Sequence, residues 1–150
     1  MPIGDVCVRD VAITSKSTTI QEAASLMRQH HVGDLIVTEE DADGHKLPVG
    51  IVTDRDIVVS VIALELDPAV YTVGDLVARE LVCVSDDQGI FECIQRMRTH
   101  GVRRMPVVGR DGGLIGIVSV DGLIQLLSEE MSALAQLISR ERVREAWIKK

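Results

Sequence analysis

The sequence predicts an α/β fold of the α+β type: two pseudo-twofold-related repeats, each strand-helix-strand-strand-helix, with a long C-terminal helix. Three observations predict it. The chain contains itself twice: sliding it by 70 positions lays residues 3–37 on 73–107 without a gap. Eleven of those 35 pairs are identical, among them Gly4/Gly74, Arg9/Arg79, Ile20/Ile90, Met27/Met97 and Val37/Val107. After a slip of four residues the match resumes at Gly50-Ile51-Val52 against Gly116-Ile117-Val118. The apolar fraction is 46%, yet Phe91, Tyr71 and Trp147 are the only aromatic residues, so valine, isoleucine and leucine must pack short buried strands under helices. Finally, the second copy repeats every element of the first, with a glycine stop shortly after the long helix of each, Gly33 and Gly101.

The elements follow in order. A short helical turn near Asp5 precedes a strand at Val11-Ala12-Ile13. Thr19-Ile20-Gln21-Glu22 has capping-box spacing, and Ile20, Ala23, Ala24 and Met27 follow at helical spacing, which predicts a helix over 20–30. Gly33 lies just past its end as a stop. Leu35-Ile36-Val37 is a strand, the acidic segment 39–46 turns the chain, and Val49 to Val52 returns. A helix runs from about Asp54 to Leu66, where Asp67-Pro68 breaks it. The second copy repeats this: a turn near Asp75, a strand Leu81 to Val84, a helix Ile90 to Thr99 stopped by Gly101, and strands Met105 to Val108 and Leu114 to Val118. The tight Arg110-Asp111-Gly112-Gly113 turn joins the last two, and a helix starts near Asp121. The predicted boundaries are 1–69 and 70–127 for the repeats and 128–150 for a helical tail. A three-stranded sheet with helices on one face leaves apolar surface that a second copy can bury.

Composition narrows the function. A net charge of −7 and three aromatic residues argue against nucleic acid, which needs phosphate-neutralising charge and stacking platforms. No stretch approaches the ~20 apolar residues of a bilayer span, and the N-terminus lacks a secretory pattern. Cys7, Cys83 and Cys93 are odd in number and form no Cys-x-x-Cys, as expected of reduced structural thiols in the cytoplasm. There is no nucleophile elbow, phosphate-binding glycine loop or zinc-hydrolase motif, so no enzyme is expected. His30, His31 and His100 stand at helix ends without further ligands nearby in sequence. Asp41-Ala42-Asp43-Gly44-His45 begins like a calcium loop but lacks the glutamate at its twelfth position, which predicts a solvated hairpin turn. No metal site is expected.

The Gly-Ile-Val-Thr-Asp-Arg-Asp run at 50–56, and Gly-Val-Arg-Arg-Met-Pro-Val-Val at 101–108, resemble the cystathionine-β-synthase-type (CBS) domain. Two copies in tandem resemble a CBS pair, or Bateman module, over roughly residues 3–127. The resemblance implies a ligand-sensing module for adenine-containing ligands of the AMP, ADP, ATP or NAD class, acting as a regulatory ligand rather than a catalytic cofactor. It also implies homodimerisation and a protein partner acting in trans. The alternative it leaves is an interaction or scaffold module with degenerate pockets, working through its C-terminal helix.

On spacing alone Thr53-x-x-Asp56 is a capping box. By resemblance, the hydroxyl of Thr53 holds phosphate beside helix N–H groups left unpaired, and the carboxylate of Asp56 accepts from ribose hydroxyls. The same resemblance adds Arg55 and walls this pocket with Val77, Leu81, Val82, Val102, Arg103, Arg104 and Met105. The second pocket, headed by Ser119, faces Cys7, Val11, Ala12, Val32, Gly33 and Asp34. It is expected to be the weaker one. Gly122 replaces the ribose-binding carboxylate there, Asp121 is one residue early, and Gly33-Asp34 replace Arg103-Arg104. The tail carries Leu123, Leu127, Met131, Leu134, Ile138 and Trp147 on one stripe, and a dimer mate is its expected cover.

Overall fold

The computed structural model describes residues 1–77 and 80–149; Arg79, paired above with Arg9, lies outside them. The chain divides into two units, Met1–Val118 and Ser119–Lys150. In the first, a 3-10 turn at Ile3–Asp5 precedes β1 (Ile13–Thr14), α1 (Ile20–His30), β2 (Asp34–Glu40) and β3 (Lys46–Thr53). Then come α2 (Asp54–Ile57), α3 (Val73–Leu76), β4 (Val84–Ser85), α4 (Ile90–His100), β5 (Arg104–Val108) and β6 (Leu114–Ser119). The second unit is α5 (Val120–Ile148), 29 residues with no break at position 128. The strands form two three-stranded sheets, ordered β1-β2-β3 and β4-β5-β6. In each, the first pair is parallel: Ile13 opposite Ile36, and Val84 opposite Val107. The β2–β3 hairpin is antiparallel, with a register shift between Val37 and Thr38.

Helix α1 spans the predicted residues. Thr19 and Glu22 form the reciprocal capping box, and Ile20, Ala23 and Met27 are buried on one face. Its stop differs from the expectation. His31, not Gly33, takes the left-handed conformation (φ 55), whereas Gly101 ends α4 as predicted (φ 63). Gly33 answers a different need: a Cβ there would stand 3.2 Å from the Asp54 carboxylate. The helix expected over 54–66 is α-helical only to Ile57, continues as a π-helix through Val58–Ile62 and ends in turns. The strands expected at Val11–Ile13 and Leu81–Val84 start later, at Ile13 and Val84, because pairing with β2 and β5 begins there.

The two helical turns that open the repeats are exchanged. The Ile3 and Gly4 N–H groups donate to the carbonyls of Gln88 (2.7 Å) and Asp86 (2.9 Å) in the second repeat. At the positions 70 residues on, the Val73 and Gly74 N–H groups donate to Thr18 (2.8 Å) and Lys16 (2.9 Å) in the first. Val73 is fully buried in the first repeat's core, packed with Ile20, Met27, Leu35, Val37, Val52, Ile57 and Val61. Burying such a side chain contributes roughly 1.5–3 kcal/mol. The glycine identities now have a cause. A Cβ on Gly4 would lie 3.0 Å from the Asp86 carbonyl oxygen, and one on Gly74 3.0 Å from that of Lys16. On the strands, a Cβ on Gly50 would overlap the Val77 side chain, and one on Gly116 would overlap the Val8 carbonyl and Cys7 Sγ.

Gly50→Ala should therefore destabilise the protein by about 1–3 kcal/mol through overpacking, and Val77→Ala in the same chain should recover part of it. Gly116→Ala meets a backbone oxygen, so trimming a neighbouring side chain should not rescue it. Urea-denaturation midpoints of Gly50→Ala, Gly50→Ala/Val77→Ala, Gly116→Ala and Gly116→Ala/Cys7→Ala check both statements.

Candidate functional site

Strand β3 delivers Thr53 to the point where extended backbone turns into α2. Thr53 accepts the Asp56 N–H on Oγ1 (3.1 Å) and donates its own N–H to Asp56 Oδ2 (2.9 Å), which closes a capping box. Both residues are half-buried and Arg55 is exposed. The first N–H groups of α2 differ from the sequence expectation, because each has a partner. Asp54 N–H donates to the Gly33 carbonyl (2.9 Å), Arg55 N–H to the Asp54 carboxylate (2.8 Å) and Asp56 N–H to Thr53. An anion here meets side chains before it meets free backbone donors.

The side chains that converge come from both repeats. Asp34 lies directly opposite Thr53 in the β2–β3 register. Arg104, which opens β5, donates through Nε to Asp34 Oδ2 at 2.8 Å. Cross-strand neighbours of this kind have Cβ atoms about 4.5–5.5 Å apart, so the guanidinium is held by the residue that stands beside Thr53. The spacing of 70 makes Asp34 and Arg104 equivalent positions. The sequence reading assigned them to two different pockets, and the structure joins them across the repeat boundary. Sequence could show the opposite charges but not the bond.

The remaining predicted residues divide by burial. Val77 packs against Gly50, three residues before Thr53 on β3. Leu81, Val82 and Val102 are half-buried and Arg103 is exposed, while Met105 is fully buried in the core. In the first unit Val11, Ala12 and Val32 are half-buried and Gly33 is exposed. In the second unit Ser119 caps α5 by accepting the Gly122 N–H (3.1 Å), but glycine has no carboxylate to return the bond. That cap is half of the one at Thr53.

The loop expected to be a solvated turn is tied down. The Asp41 carboxylate accepts the backbone N–H groups of His45 (2.8 Å) and Asp43 (3.0 Å) and faces His45 Nδ1 at 3.1 Å. His45 Nε2 reaches Asp111 Oδ2, also at 3.1 Å, in the hairpin of the other repeat. Ligand atoms of Asp41, Asp43 and His45 lie within 4.8 Å of one another. The His45 ring thus stands between two carboxylates and ties the two hairpins together. Beside it opens a cleft of about 670 Å³ lined by Arg9, Val11, Ile13, Lys46, Arg110 and Ile115, apart from Thr53 and Asp56. The Cys7, Cys83 and Cys93 thiols are unpaired, and burial pushes each one's pKa up, which suits packing rather than reactivity.

The profile of the CBS domain matches residues 3–62 and again 73–129. The chain belongs to the CBS domain family. It is a tandem CBS pair, and its relatives agree. It is 33% identical over 143 residues to the CBS domain-containing protein YhcV of Bacillus subtilis, covering 94% of this chain and 97% of that one. It is 32% identical to a protein of Methanopyrus kandleri, covering 83% of this chain but only 61% of that protein's length. Among solved structures it is similar to Hypoxic Response Protein I with two coordinated zinc ions (TM-score 0.69, 32% identity, 83% and 98% of the two chains). It is also similar to the CBS domain protein PAE2072 from Pyrobaculum aerophilum complexed with AMP (TM-score 0.70, 25% identity, 81% and 89%). A third is the hexameric CBS-CP12 protein from bloom-forming cyanobacteria (TM-score 0.70, 27% identity, 83% and 66%). CBS pairs of this kind are regulatory modules, and some assemble into oligomers. No described helix is long and apolar enough to cross a membrane.

The Asp41 carboxyl sits below the usual aspartate range, chiefly because the His45 backbone N–H donates to its ionised form. With the folded pKa depressed, its contribution to holding the loop is present above the unfolded pKa and is lost as pH falls through the folded one. An NMR titration of this CBS pair should find Asp41 ionising below the free-aspartate value of about 3.9. A midpoint at or above it would contradict the hydrogen bonding described.

Proposed function

We propose that this CBS pair is a non-catalytic regulatory module. It binds an adenine nucleotide of the AMP, ADP, ATP or NAD class at the Thr53–Asp56 site and signals to a partner protein in trans. One observation carries the reading: a hydroxyl (Thr53) and a half-buried carboxylate (Asp56) form one cap, and Asp34, opposite Thr53 in the strand register, holds the Arg104 guanidinium of the other repeat. A diol suits the carboxylate, which accepts two donors, and a phosphate suits the guanidinium. The AMP complex of the similar PAE2072 supports the ligand class. Val77, Leu81, Val82 and Val102 supply the apolar wall for a base, with Arg55 and Arg103 at the polar rim; Met105 contributes through the core beneath. Ligand held by groups of both repeats ties them together and biases the arrangement a partner meets. A cytoplasmic setting suits the three unpaired thiols.

The cap at Ser119 is the weaker site in this reading, since it lacks the carboxylate. Self-association completes the proposal. On α5, Ile124, Leu127, Met131, Leu134 and Ile138 recur at alternating steps of three and four, and all are exposed. That is the spacing of a helix–helix seam, and a second copy of the chain is its proposed cover. Light scattering at micromolar concentration should report a dimer or a higher multiple. A monomer there, or a Met131→Glu/Leu134→Glu variant with unchanged mass, would remove the seam.

The ligand reading is tested by melting the protein with AMP, ADP, ATP, NAD and S-adenosylmethionine. A nucleotide at 100 times its dissociation constant should add about 2.7 kcal/mol of stability. Asp56→Ala should abolish most of that shift and Gly122→Ala should change it little. No shift with any ligand favours a scaffold module, and equal losses from the two substitutions would remove the asymmetry between the sites.

A further inference from the structure

The residue that holds Arg104 is the one that replaces it in the other repeat. Asp34 and Arg104 are equivalent by the 70-residue spacing, and they pair across the repeat boundary at 2.8 Å. Asp34 also stands opposite Thr53, so a carboxylate occupies the edge of the site where a ligand's phosphate would seek its cation. The pair is partly solvated, with side chains 22% and 44% exposed. Pairs exposed to this degree are cheap to exchange. The backbone gives a phosphate little else to bind, because the first N–H groups of α2 are taken by Gly33, Asp54 and Thr53.

From these facts we propose that Asp34 is an internal competitor for Arg104. A nucleotide phosphate that binds the Thr53–Asp56 site does so by taking the guanidinium from Asp34 and opening the ion pair between the repeats. The inference rests on reading that site as the nucleotide site. It adds the means by which occupancy is registered. A carboxylate and a phosphate on one guanidinium repel each other, so the phosphate gains only what Asp34 gives up. Affinity is thereby held below what the same arginine would support alone. The bond broken on binding is one that joins the repeats, so the signal starts at their boundary. Ligands without a phosphate leave the pair closed.

Isothermal titration of the full chain with AMP and with adenosine tests this. Asp34→Asn removes the charge at constant shape and should tighten AMP about 2- to 5-fold, leaving adenosine unchanged. Arg104→Ala should weaken AMP, and adding Asp34→Asn to it should tighten AMP less than the same change does in the native chain. Melting curves without ligand confirm that each variant is folded, and Asp34→Ala serves as a second variant should Asp34→Asn unfold. AMP binding that is unchanged or weakened in a folded Asp34→Asn protein overturns the competition while leaving the nucleotide site standing; weakening would make Asp34 a positioning residue for Arg104. Binding of AMP by Asp34→Asn alone, with none by the native chain, supports the competition at its strongest. Failure of both proteins to bind AMP, ADP or ATP overturns the site and the competition together.

Discussion

Everything in the first unit depends on the exchange of two short turns. Residues 3–8 hydrogen-bond to the second repeat, and residues 73–77 pack on the first, by the same backbone groups shifted 70 positions. Neither three-stranded sheet buries its edge and its core with its own residues; each borrows the other's opening turn. Backbone carbonyls leave no room for a Cβ at Gly4, Gly74 and Gly116, and the Val77 side chain leaves none at Gly50. What looks in the sequence like ancestry is, in the fold, a steric requirement applied twice.

Against that symmetric frame, chemistry is distributed unequally. The cap at Thr53 is closed by Asp56, and the cap at Ser119 faces Gly122 and stays half-made. The equivalent positions 34 and 104 carry opposite charges and neutralise each other. The hairpins carry a second tie, in which His45 sits between Asp41 of its own loop and Asp111 of the other. Both links cross the repeat boundary on solvated surfaces. Exchanging such links costs far less than disturbing a packed core, which suits a module whose response is a change in how its halves meet.

The candidate site was legible in part. The capping box of Thr53 and Asp56 is legible in the spacing, and the structure has it; their role toward a ligand comes from the resemblance. The state of the helix N–H groups was not legible. Gly33 closes on Asp54 from a neighbouring strand, 21 positions away in sequence, and no local pattern reports that. His45 was passed over for the same reason: its partner Asp111 lies in the other repeat. Met105 is named for the wall from its place in the repeat; in β5 it opens a run of three buried residues, Met105 to Val107, and its own side chain is fully covered.

Alone, the sequence determined the repeat, the order of elements, the helix α1 to the residue and the capping boxes. These depend on residues within a few positions of one another, where side-chain type and backbone preference settle the outcome. Tertiary structure decided that the opening turns cross over, that Asp34 and Arg104 meet, that His31 rather than Gly33 takes the left-handed turn, and that the helix after Thr53 loosens into a π-helix. Each of these is a bargain between groups distant in sequence, or between a local preference and the packing around it. Steric fit and ion pairing across the repeat boundary settle such matters, and they exist only once the chain has folded.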